Sequence, residues 1–420
     1  MADHEPQFAE PSEFHRKFME ASYVAVRGGC WLFGHKFQHI TSSGKENFPN
    51  EGPVLVLSNH SCYLDPFTVI VGQGRPISWM ATPTLAKDTA FLGFICWWWG
   101  VIPKKKYVTD VGAIRRMKKW AEHDHAVGLF PEGNRCWDGH TAEVLPGIEK
   151  LVRLVDAPVV TARVYNGMHQ WPRWCHKARY GRVHVEYDKP VTFDKKTPLK
   201  DIRKRIVDGI NVDFDNSPKW PVRGTKLARG ISNVIWSCPE CGGIQTVAET
   251  DDDAHCTRCG ARWKVETDLV LYAKRKPAHD IRIDHAMHQA RDQLRARGMV
   301  PDPERFERDG VLLESEPMKL MDCGVHPHAQ VAEGIMVLNR EALEIRDPDG
   351  RTNYRVELKD MRIVALDLIR NLQFRTDDGR FLEALVPESS MVLWEQVLQH
   401  WSALARGEKS RHVPATEAAL

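Results

Sequence analysis

Neither a long apolar run nor an imbalance of charge is found in this 420-residue sequence, and each absence excludes something. The longest strongly apolar stretch, Ala90 to Ile102, falls short of the roughly 20 residues that a helix needs to cross a bilayer. Lys and Arg number 58 against 56 Asp and Glu, a net of +2, so bulk charge does not point to nucleic acid. The opening MADHEPQF has neither the basic start nor the apolar core of a secretory leader, so a cytoplasmic chain is expected, soluble or peripheral on the inner face of a membrane. G-x-S-x-G, the turn that carries the serine of many hydrolases, is missing throughout. Disulfide spacing is missing too: of ten cysteines, four form two C-x-x-C pairs and six stand singly, a pattern of reducing compartments with one metal site.

Tryptophan is the excess. Nine of fourteen lie before residue 175, among them Trp97, Trp98 and Trp99, and three in a row cannot all face one core. Indole rings favour membrane–water interfaces, against the plainer reading of core aromatics. Pro11 to Gln38 reads as an amphipathic helix, with Gly28-Gly29 as a break into two, suited either to an interface or to packing on its own domain.

Around Val54 to Phe67 the chemistry gathers. A buried strand, Val54 to Leu57, stops at Ser58-Asn59-His60, and a helix restarts near Asp65 and Pro66. On a regular helix positions i and i+5 sit about 140° apart, so only a turn brings His60 and Asp65 together. A carboxylate on one ring nitrogen fixes the tautomer and leaves the other nitrogen to take a proton. The plainer alternative is a helix-capping Asp beside a strand-end His. Further on, Phe91 to Ile102 runs into Pro103 and Lys104 to Lys106, apolar surface beside positive charge. Val111 to His123 is an amphipathic helix with four more cations, and Ala126 to Phe130 is a second buried strand ending in Pro131-Glu132-Gly133-Asn134-Arg135. Arg135 is suited to clamp a phosphate, while Glu132 either binds an acceptor hydroxyl or holds the loop. Helix Ile148 to Val155 and a strand from Ala157 to Tyr165 complete an α/β pattern closing near residue 225.

Four blocks, N-H-x4-D at Asn59 to Asp65, G-V-I-P-K-K at Gly100 to Lys105, F-P-E-G-N-R at Phe130 to Arg135 and A-P-V-V at Ala157 to Val160, resemble the glycerolipid acyltransferases. Within that family the chain is most similar to the 1-acylglycerol-3-phosphate acyltransferases, over roughly Phe14 to Asp194. The resemblance implies a mostly parallel central sheet flanked by helices. It makes His60 the general base, Asp65 its orienter, and Glu132, Gly133 and Arg135 part of the acceptor site. Gly100 and Lys104 or Lys105 would then hold glycerol phosphate. The implied co-substrates are an acyl-CoA or acyl carrier protein thioester and a lysophospholipid at a membrane surface. Asn134 and Cys136 replace the usual hydroxyl residues, and lysine replaces the usual arginine in the second block, which leaves the acceptor open. Asparagine before His60 sets the chain apart from the H-H-x3-D acyltransferases.

The second half is of another kind. Cys238, Cys241, Cys256 and Cys259 make two knuckles, each followed by Gly, and fit a structural zinc in a ribbon whose intervening residues suit two strands. Residues 277–323 read as a charged, partly helical linker, and six short strands followed by a helix from Ser390 to Leu404 read as a β-barrel-like domain resembling the pleckstrin-homology pattern. The expected organisation is therefore membrane-associating helices over 1–40, an acyltransferase domain over 41–225, the ribbon over 232–272, the linker, the capped barrel over 324–406 and a disordered tail over 407–420. The opening strands of the C-terminal domain carry no cluster of lysine and arginine to hold a phosphoinositide head, so protein binding or plain scaffolding is expected there, and near-neutral charge with no aromatic-basic alternation in the ribbon weighs against nucleic acid. The rivals are an acyltransferase with another lysophospholipid or an amino-acid lipid as acceptor, and a catalytically silent adaptor.

Overall fold

The computed structural model describes residues 8–83, 90–104, 110–323, 329–367, 371–386 and 390–408. Lys105 lies outside the described residues, as does the tail from 409 on, for which disorder was the expectation. The chain divides into two compact units, Met1–Arg173 with Lys177–Gly224, and Trp174–His176 with Thr225–Leu420.

In the first unit the order is α1 (Glu13–Phe37), β1 (Gln38–Ser43), β2 (Val54–Ser58), α2 (Asp65–Gly72), β3 (Ile77–Ala81), α3 (Ala90–Trp98), β4 (Ile102–Pro103) and α4 (Val111–Glu122). Then follow β5 (Ala126–Leu129), α5 (Ile148–Val155), β6 (Val159–Tyr165), α6 (Gly167–Gln170), β7 (Tyr180–Tyr187), α7 (Leu199–Ile210) and β8 (Val222–Arg223). The strands form one sheet, β1-β7-β6-β2-β5-β3-β4, with β8 on β7. β6, β2, β5, β3 and β4 run parallel, while β7 is antiparallel to β6. Strand β2 reads as an unbroken apolar run because both of its faces are covered. Leu55 and Leu57 join Trp120 of α4, Val152 of α5 and Ile206 of α7, while Val54 and Val56 join Val69 and Ile70 of α2 on the other side. Burial of each such side chain stabilises by about 2 kcal/mol, so the strand that carries the site is among the best anchored.

Helix α1 is continuous through Gly28-Gly29, correcting the expected break. Each glycine costs only about 1 kcal/mol in a helix, and the helix is held elsewhere: Tyr23 Oη donates to Ile70 O at 2.7 Å, and Trp98 Nε1 donates to Ser22 Oγ at 2.8 Å. The helix packs on its own domain along one face and leaves apolar side chains exposed on another. His15, Met19 and Tyr23 are buried, whereas Phe14 is 81% and Val24 77% exposed. The three tryptophans divide as their spacing requires, Trp97 packing with the α4 side of the sheet and Trp99 with the α2 side.

The second unit opens with β9 (Val247–Glu249), β10 (Asp253–Cys256), β11 (Arg262–Val265), β12 (Val270–Arg275) and β13 (Ile281–Arg282), one antiparallel five-stranded sheet in which β9 and β10 are the two strands expected between the cysteine pairs. Next come α8 (Ile283–Ala296) and α9 (Pro303–Asp309), then β14 (Leu313–Asp322), β15 (Ala329–Leu338), β16 (Ala342–Arg346), β17 (Thr352–Glu357), β18 (Met361–Asp367), β19 (Asn371–Thr376), β20 (Phe381–Leu385) and α10 (Met391–Ala405). Residues 277–323 are thus no linker. Ile283, Ala286, Met287, Ala290 and Leu294 bury one face of α8, and β14 sits inside a seven-stranded sheet, β17-β16-β15-β14-β20-β19-β18. The period of two in β14 is interrupted by a register shift between Glu314 and Pro317: Leu313 and Ser315, then Met318 and Leu320, are buried, while Glu314, Glu316, Pro317 and Lys319 are exposed. Helix α10 is tied to β18, with Gln399 Nε2 donating to Val364 O at 2.8 Å.

Candidate active site

Parallel strands β2, β5, β3 and β4 all end on one edge of the sheet, the edge on which open α/β sheets place their ligands. The end of β2 is pinned by Asn59, whose side chain imitates a strand partner: Nδ2 donates to Val164 O at 3.0 Å and Oδ1 accepts Val164 N–H at 2.7 Å. His60 follows, and the chain turns until Asp65 opens α2, with Pro66 in the first turn. That turn brings His60 Nδ1 to 2.9 Å from Asp65 Oδ2. The same oxygen accepts Ser61 N–H at 2.7 Å and Cys62 N–H at 2.8 Å. An oxygen already receiving two amide protons is an acceptor, so the Nδ1 proton belongs to His60. Asp65 is 1% exposed, and the N-terminus of α2 favours its negative charge. Among the described residues no protein group takes His60 Nε2.

The turn after β5 is bound to this one at two points. Glu132 Oε1 accepts His60 N–H at 2.5 Å and Oε2 accepts Ala142 N–H at 2.6 Å, while Cys136 N–H donates to His60 O at 2.9 Å. Of the two roles weighed for Glu132, the geometry realises the loop-holding one. Burial pushes its carboxyl up to about 8, against the pull of the two backbone donors. Gly133 has φ +75°, a left-handed conformation that favours glycine, and a Cβ there would push Leu145 Cδ1, 2.5 Å away, aside.

Arg135 lies on the same turn, its guanidinium 5.6 Å from the Tyr63 ring centroid. A second guanidinium, Arg173, is buried against Trp137 at 3.9 Å and donates to Arg135 O at 2.9 Å. Both cations lower the pKa of His60, as does burial, the largest cause; the Asp65 hydrogen bond opposes them. Arg173 was not singled out in the sequence, since nothing in its local pattern marks it. Nor was the aromatic stack under the histidine. Phe130 lies flat on His60 (centroids 4.0 Å apart, 17°) and Trp79 flat on Phe130 (4.6 Å, 8°). Gly128 makes this stack fit, because a Cβ there would stand 2.7 Å from the Trp79 ring.

The second block is further off. Gly100, with φ +58°, is packed under Ser78, Trp120 and Met19, and shapes the turn from α3 to β4. Lys104 follows β4 on the same edge, its N–H bonded to Ala81 O at 2.8 Å. With β5 and β3 between β4 and β2, it stands about 14 Å along the edge from the histidine strand. The structure thus gathers His60, Asp65, Glu132, Gly133 and Arg135 and leaves Gly100 and Lys104 at a distance. In the second unit Cys238, Cys241, Cys256 and Cys259 bring their four sulfurs within 4.8 Å of one another.

Residues 39–165 match the family model described as Acyltransferase. A 1-acyl-sn-glycerol-3-phosphate acyltransferase of Borreliella burgdorferi is 26% identical over 149 residues, which is 34% of this chain and 56% of the relative. The chain therefore spans about half the length of that curated relative. Among solved structures, the 1-acyl-sn-glycerophosphate acyltransferase PlsC of Thermotoga maritima is similar at 19% identity over 47% of this chain and 75% of its own, with a TM-score of 0.36. The activated truncation of Vav1 is similar at 13% identity over 29% of this chain and 38% of its own, with a TM-score of 0.21. Likenesses at those scores decide nothing about fold or chemistry.

Proposed function

We propose that the chain is a membrane-peripheral O-acyltransferase. It moves a fatty acyl chain from an acyl-CoA or acyl carrier protein thioester to the free hydroxyl of a lysophospholipid such as 1-acylglycerol-3-phosphate. The observation that carries this reading is the 2.9 Å bond from His60 Nδ1 to an Asp65 oxygen, beside a turn that presents Arg135.

The chemistry needs no covalent enzyme intermediate. His60 Nε2 takes the proton of the acceptor hydroxyl as its oxygen attacks the thioester carbonyl carbon, and Asp65 stabilises the imidazolium that results. When the tetrahedral intermediate collapses, the C–S bond breaks and the imidazolium proton goes to the departing thiolate. Arg135 supplies a planar pair of donors for a phosphate. Membrane attachment is supported by aromatic surface on α1 and α3: exposed Phe94 and half-buried Trp98 lie 5.6 Å apart, and Phe18 of α1 lies 6.3 Å from Trp98.

The test incubates the pure protein with radiolabelled oleoyl-CoA and a panel of lysolipids, beside the His60→Ala variant. One labelled diacyl product from the wild type, and none above background from the folded variant, is expected. A product on an amino-acid lipid alone would replace the acceptor. No product at all, or a variant within a few-fold of wild type, would overturn the reading and leave the adaptor.

A further inference from the structure

We infer that the second unit holds one zinc ion between Cys238, Cys241, Cys256 and Cys259, as a closed structural site. The sulfur separations carry this. A metal bound to four thiolates at about 2.3 Å in a tetrahedron sets its sulfurs about 3.8 Å apart. Cys238 Sγ stands 3.8 Å from Cys259 Sγ, and Cys241 Sγ stands 3.8 Å from Cys256 Sγ. A disulfide would need about 2.05 Å, and none of the four cysteines is in one.

The backbone makes the same case independently. Each C-x-x-C closes with the same pair of bonds at the same offsets. Gly242 N–H donates to Cys238 O at 2.9 Å and Cys238 N–H to Gly243 O at 2.9 Å; in the other knuckle Gly260 N–H donates to Cys256 O at 3.0 Å and Cys256 N–H to Ala261 O at 2.8 Å. Both closing glycines have positive φ, +63° and +75°. Two unrelated stretches folding into one turn, with their thiols turned toward a common point, is the geometry of a four-thiolate cage.

The cage also explains what the metal would do. The first knuckle is gripped from α8 and the residue that caps its C-terminus: Gln289 Nε2 donates to Pro239 O at 2.7 Å, and Arg297 Nη2 to Gly242 O at 3.2 Å. The second continues β10 and is bonded through Thr257 N–H to Thr246 O at 2.8 Å. A shared ion ties the helix-held turn to the sheet-held turn. With four protein ligands it has no open position for substrate, so it supports the fold and takes no part in acyl transfer.

The test uses the full chain purified under reducing conditions. Elemental analysis should find one zinc per chain, and cobalt exchanged into the site should give the absorption of a tetrahedral thiolate complex. Cys241→Ser and Cys259→Ser should each lower bound zinc at least tenfold, while Cys323→Ser, outside the cage, keeps one ion per chain. Folded wild-type protein without zinc and with the four thiols titrating freely would overturn the inference. So would one iron per chain in place of zinc, or zinc unchanged in both cage variants.

Discussion

Replacing Asp65 by Asn changes one charge and little else, which makes it the sharpest probe of the proposed mechanism. The asparagine carbonyl can occupy the place of Oδ2 and go on accepting from His60 Nδ1 and from the N–H groups of Ser61 and Cys62, now at 2.9, 2.7 and 2.8 Å. The new NH2 falls where Oδ1 is already buried without a hydrogen-bond partner, so the fold should survive. What is lost is the attraction between carboxylate and imidazolium. At about 4 Å between charge centres and an effective dielectric near 20 it is worth about 4 kcal/mol, or close to three powers of ten in rate. The pH profile carries a second signature. Burial lowers the pKa of His60 and the Asp65 hydrogen bond opposes that, so removing the charge lowers it further. The base must be neutral to act, and the acid limb of kcat/KM against pH should therefore move to lower pH while the plateau falls by two to three powers of ten. Acyl transfer from labelled oleoyl-CoA, measured across pH with circular dichroism as the control for folding, reads both. A plateau within threefold of wild type, or a limb that stays put, would refute the reasoning.

Two further outcomes follow from the geometry. Glu132 titrates near 8 when folded against 4.5 when exposed. Between those values the folded chain keeps a proton that the unfolded chain has released, so this carboxyl makes stability fall as pH rises. Urea denaturation of Glu132→Gln across pH 5 to 8 should show a flatter slope than wild type, with an offset of about 1–3 kcal/mol for an amide N–H left facing another donor; parallel slopes would contradict the assignment. Gly128→Ala puts a methyl group 2.7 Å from the Trp79 ring and should cost about 1–3 kcal/mol, read as a lower Tm. An unchanged Tm would mean that the stack yields freely.

The site was legible where it is local in the chain. His60 and Asp65 share one turn, Glu132 to Arg135 share another, and apolar runs that stop abruptly mark strands that end where sites are built. Partners that arrive from far along the chain were not legible. Arg173 reaches the site from beyond β6, and Trp79 slides over Gly128, through contacts that no spacing rule encodes. In the second half the cysteine knuckles were plain from their spacing. Strand β14 was not, because charged residues and Pro317 interrupt its outward face; the helical part of 277–323 was legible and is α8, but the charge it shares with its neighbours hid the face it buries.

His60 surrenders both its amide and its carbonyl to the loop after β5, through Glu132 and Cys136. The His60 backbone and the loop that carries Arg135 are consequently tied to each other, and neither strand end can shift without pulling the other. A substitution in either loop that breaks one of these bonds would therefore be felt at both strand ends at once.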